Sequence, residues 1–196
     1  KLTARSNYNC LNSITDTVRV YANPTPSFVA NSACLGSATN FTNLSTFGSG
    51  SSSTYTWIIS LLDVNTNPNY SYNFTNPGIY PVELTAISNL GCRAMFNSTV
   101  SVFDMPITSF SANNACVNQI TNFSNLSSIT VGNINKWRWD FENDGIWDDS
   151  TNFSPNKTYA ANGTYTVRLQ SISNNLCLSM NDLCLLYFYF CRSEEH

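Results

Sequence analysis

The sequence predicts an all-β protein made of antiparallel β-sandwiches in tandem. Two observations carry that expectation. The first is internal self-similarity at a spacing of 82 residues, the size of a domain rather than of a solenoid repeat. The second is strict alternation in short runs. Tyr80, Val82 and Leu84 alternate with Pro81, Glu83 and Thr85, and Tyr165, Val167 and Leu169 with Thr166, Arg168 and Gln170. Thr99-Val100-Ser101-Val102 alternates as well. In a strand every second side chain shares a face, so such runs between Asn, Gly, Pro and Ser clusters read as sheets with one buried side. No long stretch reads as an amphipathic helix.

The repeat can be followed residue by residue. Leu2, Thr3, Ala4, Ser6, Asn7, Cys10, Val18, Val20, Pro24 and Phe28 recur 82 positions later. Their counterparts are Leu84, Thr85, Ala86, Ser88, Asn89, Cys92, Val100, Val102, Pro106 and Phe110. The register continues from Cys34 to Cys116, from Asn43-Leu44-Ser45 to Asn125-Leu126-Ser127, and from Trp57 to Trp139. Beyond that point the second copy gains a few residues. Gly78-Ile79-Tyr80 then matches Gly163-Thr164-Tyr165, and Leu169 and Cys177 are a third occurrence of Leu2 and Cys10. This phase divides the chain into the last two strands of an incomplete unit (1–24), a full unit (25–106), a second full unit (107–191) and a tail (192–196). Pro24, Pro26 and Pro106 stand at the joints, where proline stiffens a short linker.

Composition narrows the function. Of 196 residues, 42% are apolar and 13% aromatic, enough for packed cores, while only 11% are charged. The polar surface must therefore come from Asn, Ser and Thr. A net charge of −3 offers no basic footprint for nucleic acid. No apolar run reaches the length of a membrane-spanning helix. The lone histidine, His196, closes the sequence, so no Ser/His or Cys/His catalytic pair can form, and the chain reads as no enzyme. Seven cysteines without zinc-ligand spacing point to an oxidising, extracellular or cell-surface setting. The odd number leaves at least one thiol free or paired outside the chain.

One family pattern is matched closely. Trp139-Asp140-Phe141, Asn143-Asp144-Gly145, Pro155, Tyr159, Gly163-Thr164-Tyr165-Thr166-Val167 and Leu169 resemble the PKD (polycystic kidney disease) repeat, in tandem copies of the bacterial surface-protein type. The first full unit keeps Trp57, Pro68, Tyr72, Gly78, Tyr80, Val82 and Leu84, but has Ile58-Ile59-Ser60 where the acidic loop should stand. The resemblance implies tandem Ig-like (PKD-type) antiparallel sandwiches of seven strands. It also implies a spacer or adhesive role and no catalytic residues. The expected function is an extracellular structural or adhesive array, assembled head to tail from copies of itself. The alternative is an accessory module that binds glycans or other surface proteins within a larger secreted hydrolase or adhesin.

Four sets of residues are candidates for a site. Asp140, Glu142, Asp144 and Asp148 space their carboxylates like the first half of a calcium loop, without its distal glutamate. No cofactor is required, and calcium is the candidate ion; the competing reading is a polar turn held by Asp140. Sequons occur at Asn40, Asn43, Asn69, Asn73, Asn97, Asn122, Asn125, Asn152, Asn156 and Asn162, slightly more than composition alone would produce. Asn69, Asn73 and Asn156 lie in turn-like contexts, while Asn43 and Asn125 also occupy a motif position. Leu185, Tyr187, Phe188, Tyr189 and Phe190 belong to a last strand apolar on both faces, a candidate assembly surface. Trp57 and Trp139 read as core residues.

The cysteines form the fourth set. In an Ig-like sandwich, Cys34 and Cys116 fall near the first turn, while Cys10, Cys92 and Cys177 fall at the turn between the last two strands. The two turns lie at opposite poles, a strand length of ~17–20 Å apart, whereas a disulfide needs Cα atoms within about 7 Å. A head-to-tail array instead brings Cys34 to Cys177. By the same rule Cys92 pairs with a preceding unit and Cys116 with a following one. The intradomain alternative, Cys34 with Cys92 and Cys116 with Cys177, requires the first turn to fold back over its sandwich.

Overall fold

The computed structural model describes residues 1–60 and 63–179 in full, and the strand 182–188 as backbone. All its regular elements are strands. They are β1 (Leu2–Arg5), β2 (Leu11–Ile14), β3 (Pro24–Thr25), β4 (Phe28–Ala30), β5 (Ala33–Cys34) and β6 (Thr39–Asn43). Then come β7 (Thr46–Phe47), β8 (Ser52–Ile59), β9 (Asp63–Asn65), β10 (Tyr70–Tyr72), β11 (Gly78–Ser88) and β12 (Arg93–Phe103). The last six are β13 (Phe110–Ala112), β14 (Ile120–Asn125), β15 (Ile134–Asp140), β16 (Asn156–Thr158), β17 (Gly163–Ser173) and β18 (Asp182–Phe188). Among the described residues no helix is long and apolar enough to cross a membrane.

The chain forms two compact units: Lys1–Val29 with Thr42–Tyr70 and Val82–Ser98, and Ala30–Phe41 with Ser71–Pro81 and Thr99–His196. In the first unit, β8 pairs antiparallel with β11 so that Trp57 stands opposite Leu84. Trp57, Ile59, Val82, Leu84 and Ala86 are buried, as the alternation of these strands requires. Phe28 packs edge-on against Trp57 at 5.1 Å and against Phe96 at 5.5 Å. The β1–β2 hairpin forms a two-stranded sheet of its own.

In the second unit two three-stranded sheets, ordered β13-β14-β16 and β15-β17-β18, face each other as a sandwich. Phe123, Trp139, Phe141, Tyr159, Val167 and Leu169 form the core between them. Trp139 again stands opposite a leucine, Leu169. Where the resemblance implies a seventh strand, the chain makes an isolated bridge, Ile107 to Ser128. Its counterpart in the first repeat is β3, where Thr25 pairs with Thr46. Pro106 and Pro24 each lack an amide donor, which limits this edge to a bridge or two.

Local devices recur with the repeat. The Tyr80 hydroxyl donates to the Asn76 carbonyl at 2.7 Å, and Tyr165 to Ala161 at 3.2 Å, the tyrosine corner of Ig-like sandwiches. The Asn43 side-chain oxygen accepts from the Ser45 amide at 2.9 Å, and Asn125 from Ser127 at 3.0 Å. Side-chain oxygens that cap a turn two residues on explain why Asn is chosen at both positions.

Candidate functional site

Three cysteines sit in three copies of one turn. Ser173 donates its amide to the Cys177 carbonyl at 2.9 Å, Leu176 donates to Ser173 at 3.0 Å, and Leu176 has a φ of 63°. The Ser173 hydroxyl oxygen accepts from the Cys177 amide at 3.1 Å. Ser88 to Cys92 repeats this pattern at 2.9, 3.0 and 3.1 Å, with Gly91 at φ 81°. Ser6 to Cys10 repeats it again at 2.9, 3.0 and 3.2 Å, with Asn9 at φ 65°. This is the three-residue hairpin loop, a type I turn closed by one left-handed residue. It places each cysteine at the first position of the returning chain.

Cys34 ends β5, which runs parallel to the end of β12, with Cys34 beside Phe103. Leu35 donates to the Phe103 carbonyl at 2.8 Å, and Ser37 donates to Cys34 at 3.0 Å. Cys34 and Cys177 are joined by a disulfide, with an S–S distance of 2.01 Å and Cα atoms 5.6 Å apart, across 143 residues of sequence. Both belong to the second compact unit. Cys177 is completely buried. One expectation needs correction. Cys116 does not wait for a following unit: it is disulfide-bonded within this chain. Cys10 and Cys92 are free thiols, Cys10 exposed and Cys92 partly so, and enter no disulfide inside the chain.

The acidic loop folds as a hydrogen-bonded turn. Asp140 is completely buried, and its two oxygens accept from the Asp144 and Gly145 amides at 3.2 and 3.0 Å. Asp148 accepts from the Phe141 amide at 2.7 Å, and Asp144 from Ile146 at 2.8 Å. Glu142 pairs with Lys157 at 3.0 Å. Each carboxylate is turned to its own donor, and among the described residues no three acidic, Cys or His groups converge as a metal cage. Trp147 lies under the guanidinium groups of Arg138 and Arg168, 4.4 and 4.7 Å from the ring. Asp140→Ala is expected to cost about 3 kcal/mol, because two backbone amides lose a charged acceptor. Calcium or a chelator is expected to leave the melting temperature of the second unit unchanged; a calcium-dependent rise would overturn this reading of the loop.

Asp149 follows in the same turn, with a pKa lowered from 3.8 to about 2. Partial desolvation pushes it upward, but the Asn152 side chain, the Thr151 and Asn152 amides and the Thr151 hydroxyl outweigh that. The folded value lies below the unfolded one. The stabilisation, about 1 kcal/mol after solvent screening, is therefore complete above about pH 4 and lost as pH falls through about 2. Acid titration of stability should show the gap between the protein and Asp149→Ala closing below about pH 3. A gap constant down to about pH 2 would exclude it. Burial, with Glu142, Tyr165 and Asp148 nearby, holds the Tyr159 phenol protonated well above its ordinary range.

The sequons separate by burial. Asn40, Asn69, Asn73, Asn97, Asn122, Asn152, Asn156 and Asn162 are exposed, and Asn43 is partly buried. Asn125 is buried, with its amide nitrogen fully enclosed, so the atom that would carry a glycan has no room for one. Its place among the glycosylation candidates is corrected accordingly. Of the proposed assembly strand, β18 pairs with β17 through Leu185, Tyr187 and Phe188, opposite Thr166, Thr164 and Gly163. Tyr189 and Phe190 lie outside the described residues, as does His196. The third cysteine turn could be found in the sequence from the Ser-x-x-x-Cys spacing shared by Ser6, Ser88 and Ser173. The Arg138–Trp147–Arg168 stack left no such signal.

The PKD domain model matches residues 104–177. No curated protein matches the chain. The PKD1 domain of Vibrio anguillarum Epp is 22% identical, covering 42% of this chain and 96% of its own, with a TM-score of 0.40. The PKD1 domain of the Vibrio cholerae metalloprotease PrtV is 22% identical, covering 41% and 98%, with a TM-score of 0.39. The fibronectin(III)-like modules of Clostridium thermocellum CbhA are 16% identical, covering 88% and 98%, with a TM-score of 0.44. With its Trp139-Asp140-Phe141 strand end, its tyrosine corner at Tyr165 and this match, the segment 104–177 is a PKD-type domain.

Proposed function

We propose that the chain is a load-bearing part of an extracellular, non-catalytic array of PKD-type repeats, structural or adhesive in role and assembled head to tail. One observation carries the reading. The Cys34–Cys177 bond ties a residue of one sequence repeat to a residue of the next. Such a tie does nothing for chemistry. It does keep successive repeats from separating under tension, and it suits an oxidising setting outside the cell. The rival reading, a glycan-binding module, needs exposed aromatic rings. Trp57 and Trp139 are wholly buried and two arginines lie over Trp147, which leaves Tyr8, Tyr21 and Phe153 among the exposed rings as the less favourable candidates for such a surface. Electron microscopy of the native material tests the proposal: filaments or strings of domains are expected, and isolated monomers that bind polysaccharide would favour the rival.

A further inference from the structure

The β1–β2 hairpin repeats the closing strand pair of a PKD-type sandwich but has no sandwich to close. Leu2 stands opposite Ile14, and Ala4 opposite Asn12, so these four share one face. Their counterparts Leu84 and Ala86 are completely buried, and Phe96, the counterpart of Ile14, packs on Phe28. On the hairpin Leu2 is 71% and Ile14 67% exposed. Beyond β2, Val18 and Val20 are 85% and 91% exposed, against 3% and 4% for Val100 and Val102.

The edge of β1 is open in the same way. In both full repeats a tryptophan strand pairs beside the corresponding leucine, Trp57 opposite Leu84 and Trp139 opposite Leu169. Among the described strands, Leu2 has only β2 beside it. Cys92 is the third unfilled place. It sits in the turn that, at Cys177, holds a bond to the first-turn cysteine of the preceding repeat.

We propose that these three vacancies are filled by one partner: the five-stranded front half of another PKD-type repeat, preceding Lys1 in the same polypeptide. Its tryptophan strand pairs with β1, its core face covers Leu2, Ala4 and Ile14, and its first-turn cysteine bonds Cys92. The source is upstream chain rather than a second copy. Both front halves in this chain already hold their own closing strands, β11–β12 and β17–β18, and have none to offer. The two thiols give up two protons and two electrons to a disulfide oxidant, such as oxidised glutathione, which leaves as two thiols. This deepens the reading of the chain as successive PKD-type repeats but does not depend on filaments.

The test extends the full chain by duplicating residues 25–82 directly before Lys1, which keeps the repeat register, and refolds it with oxidised glutathione. Hydrogen exchange and non-reducing peptide mapping are compared with the unextended chain. At least tenfold slower exchange of the Leu2–Arg5 amides is expected, together with a peptide linking the duplicated Cys34 to Cys92. Unchanged exchange overturns the closing-pair assignment. Slowed exchange with Cys92 still reactive toward iodoacetamide overturns the staple. Changing the duplicated Cys34 to serine should abolish the link and keep the slow exchange, whereas changing the duplicated Trp57 to alanine should restore fast exchange. Persistence of slow exchange in the tryptophan variant would refute the proposed pairing. Because every readout is intramolecular, failure here is distinguishable from the absence of filaments by microscopy.

Discussion

Cys177→Ser is expected to destabilise the second compact unit by about 3–5 kcal/mol and lower its melting temperature by on the order of 10 °C. The bond closes a loop of 143 residues, and for so long a loop the chain-entropy model places the effect at about 5 kcal/mol, near the top of the usual range. The buried site adds to the cost, because a serine hydroxyl would replace a sulfur in an enclosed position. Cys92→Ser supplies the control. It occupies the equivalent turn of the preceding repeat with a free thiol, and its effect should stay within about 0.5 kcal/mol. Thermal scans with and without reductant measure both. Equal melting of Cys177→Ser and the unaltered protein would show that the tie carries no load, and with it the proposed function would lose its main support.

Trp139→Ala should cost a comparable 3–5 kcal/mol, about as much as emptying any buried aromatic site. Trp139 is wholly buried, with Phe110 at 5.1 Å, Phe123 at 5.4 Å and Phe141 stacked at 6.1 Å between ring centroids. These rings come from both sheets, so the cavity would open at the centre of the sandwich, where neighbouring strands cannot collapse to fill it. Trp139→Phe should recover part of the loss. Urea unfolding followed through the second unit gives the value. A cost below about 1 kcal/mol would mean that Trp139 is exposed in solution and would favour the glycan-binding rival.

Residues whose role follows from local geometry were legible in the sequence. Alternation alone placed Val82, Leu84, Val167 and Leu169 in the core, because the pleat turns every second side chain the same way. Register with the repeat placed Trp57 and Trp139 there too. The pairing of Cys34 with Cys177 was reachable because it rests on a coarse length, the pole-to-pole distance of a strand, against the short reach of a disulfide. The acidic loop was not legible at that level. A run of alternating carboxylates is compatible with a cage or with a turn. In the folded loop the left-handed residues Asn143 and Gly145 turn the chain so that the Asp144 and Gly145 amides donate to Asp140.

The same division separates the remaining residues. Asn125 and Asn122 carry equal sequons three positions apart, yet one amide is enclosed and the other exposed. Alternation along β14 puts them on opposite faces, and packing against the facing sheet decides which face is sealed. Sequence alone determined the repeat, its strands, its core and the places where cysteines turn, because these depend on spacing along one chain. Tertiary structure decided which carboxylates meet amides, which asparagine is sealed, and which cysteines find partners. Those outcomes depend on groups brought together from distant strands, and their separation in space is not written in their separation along the chain.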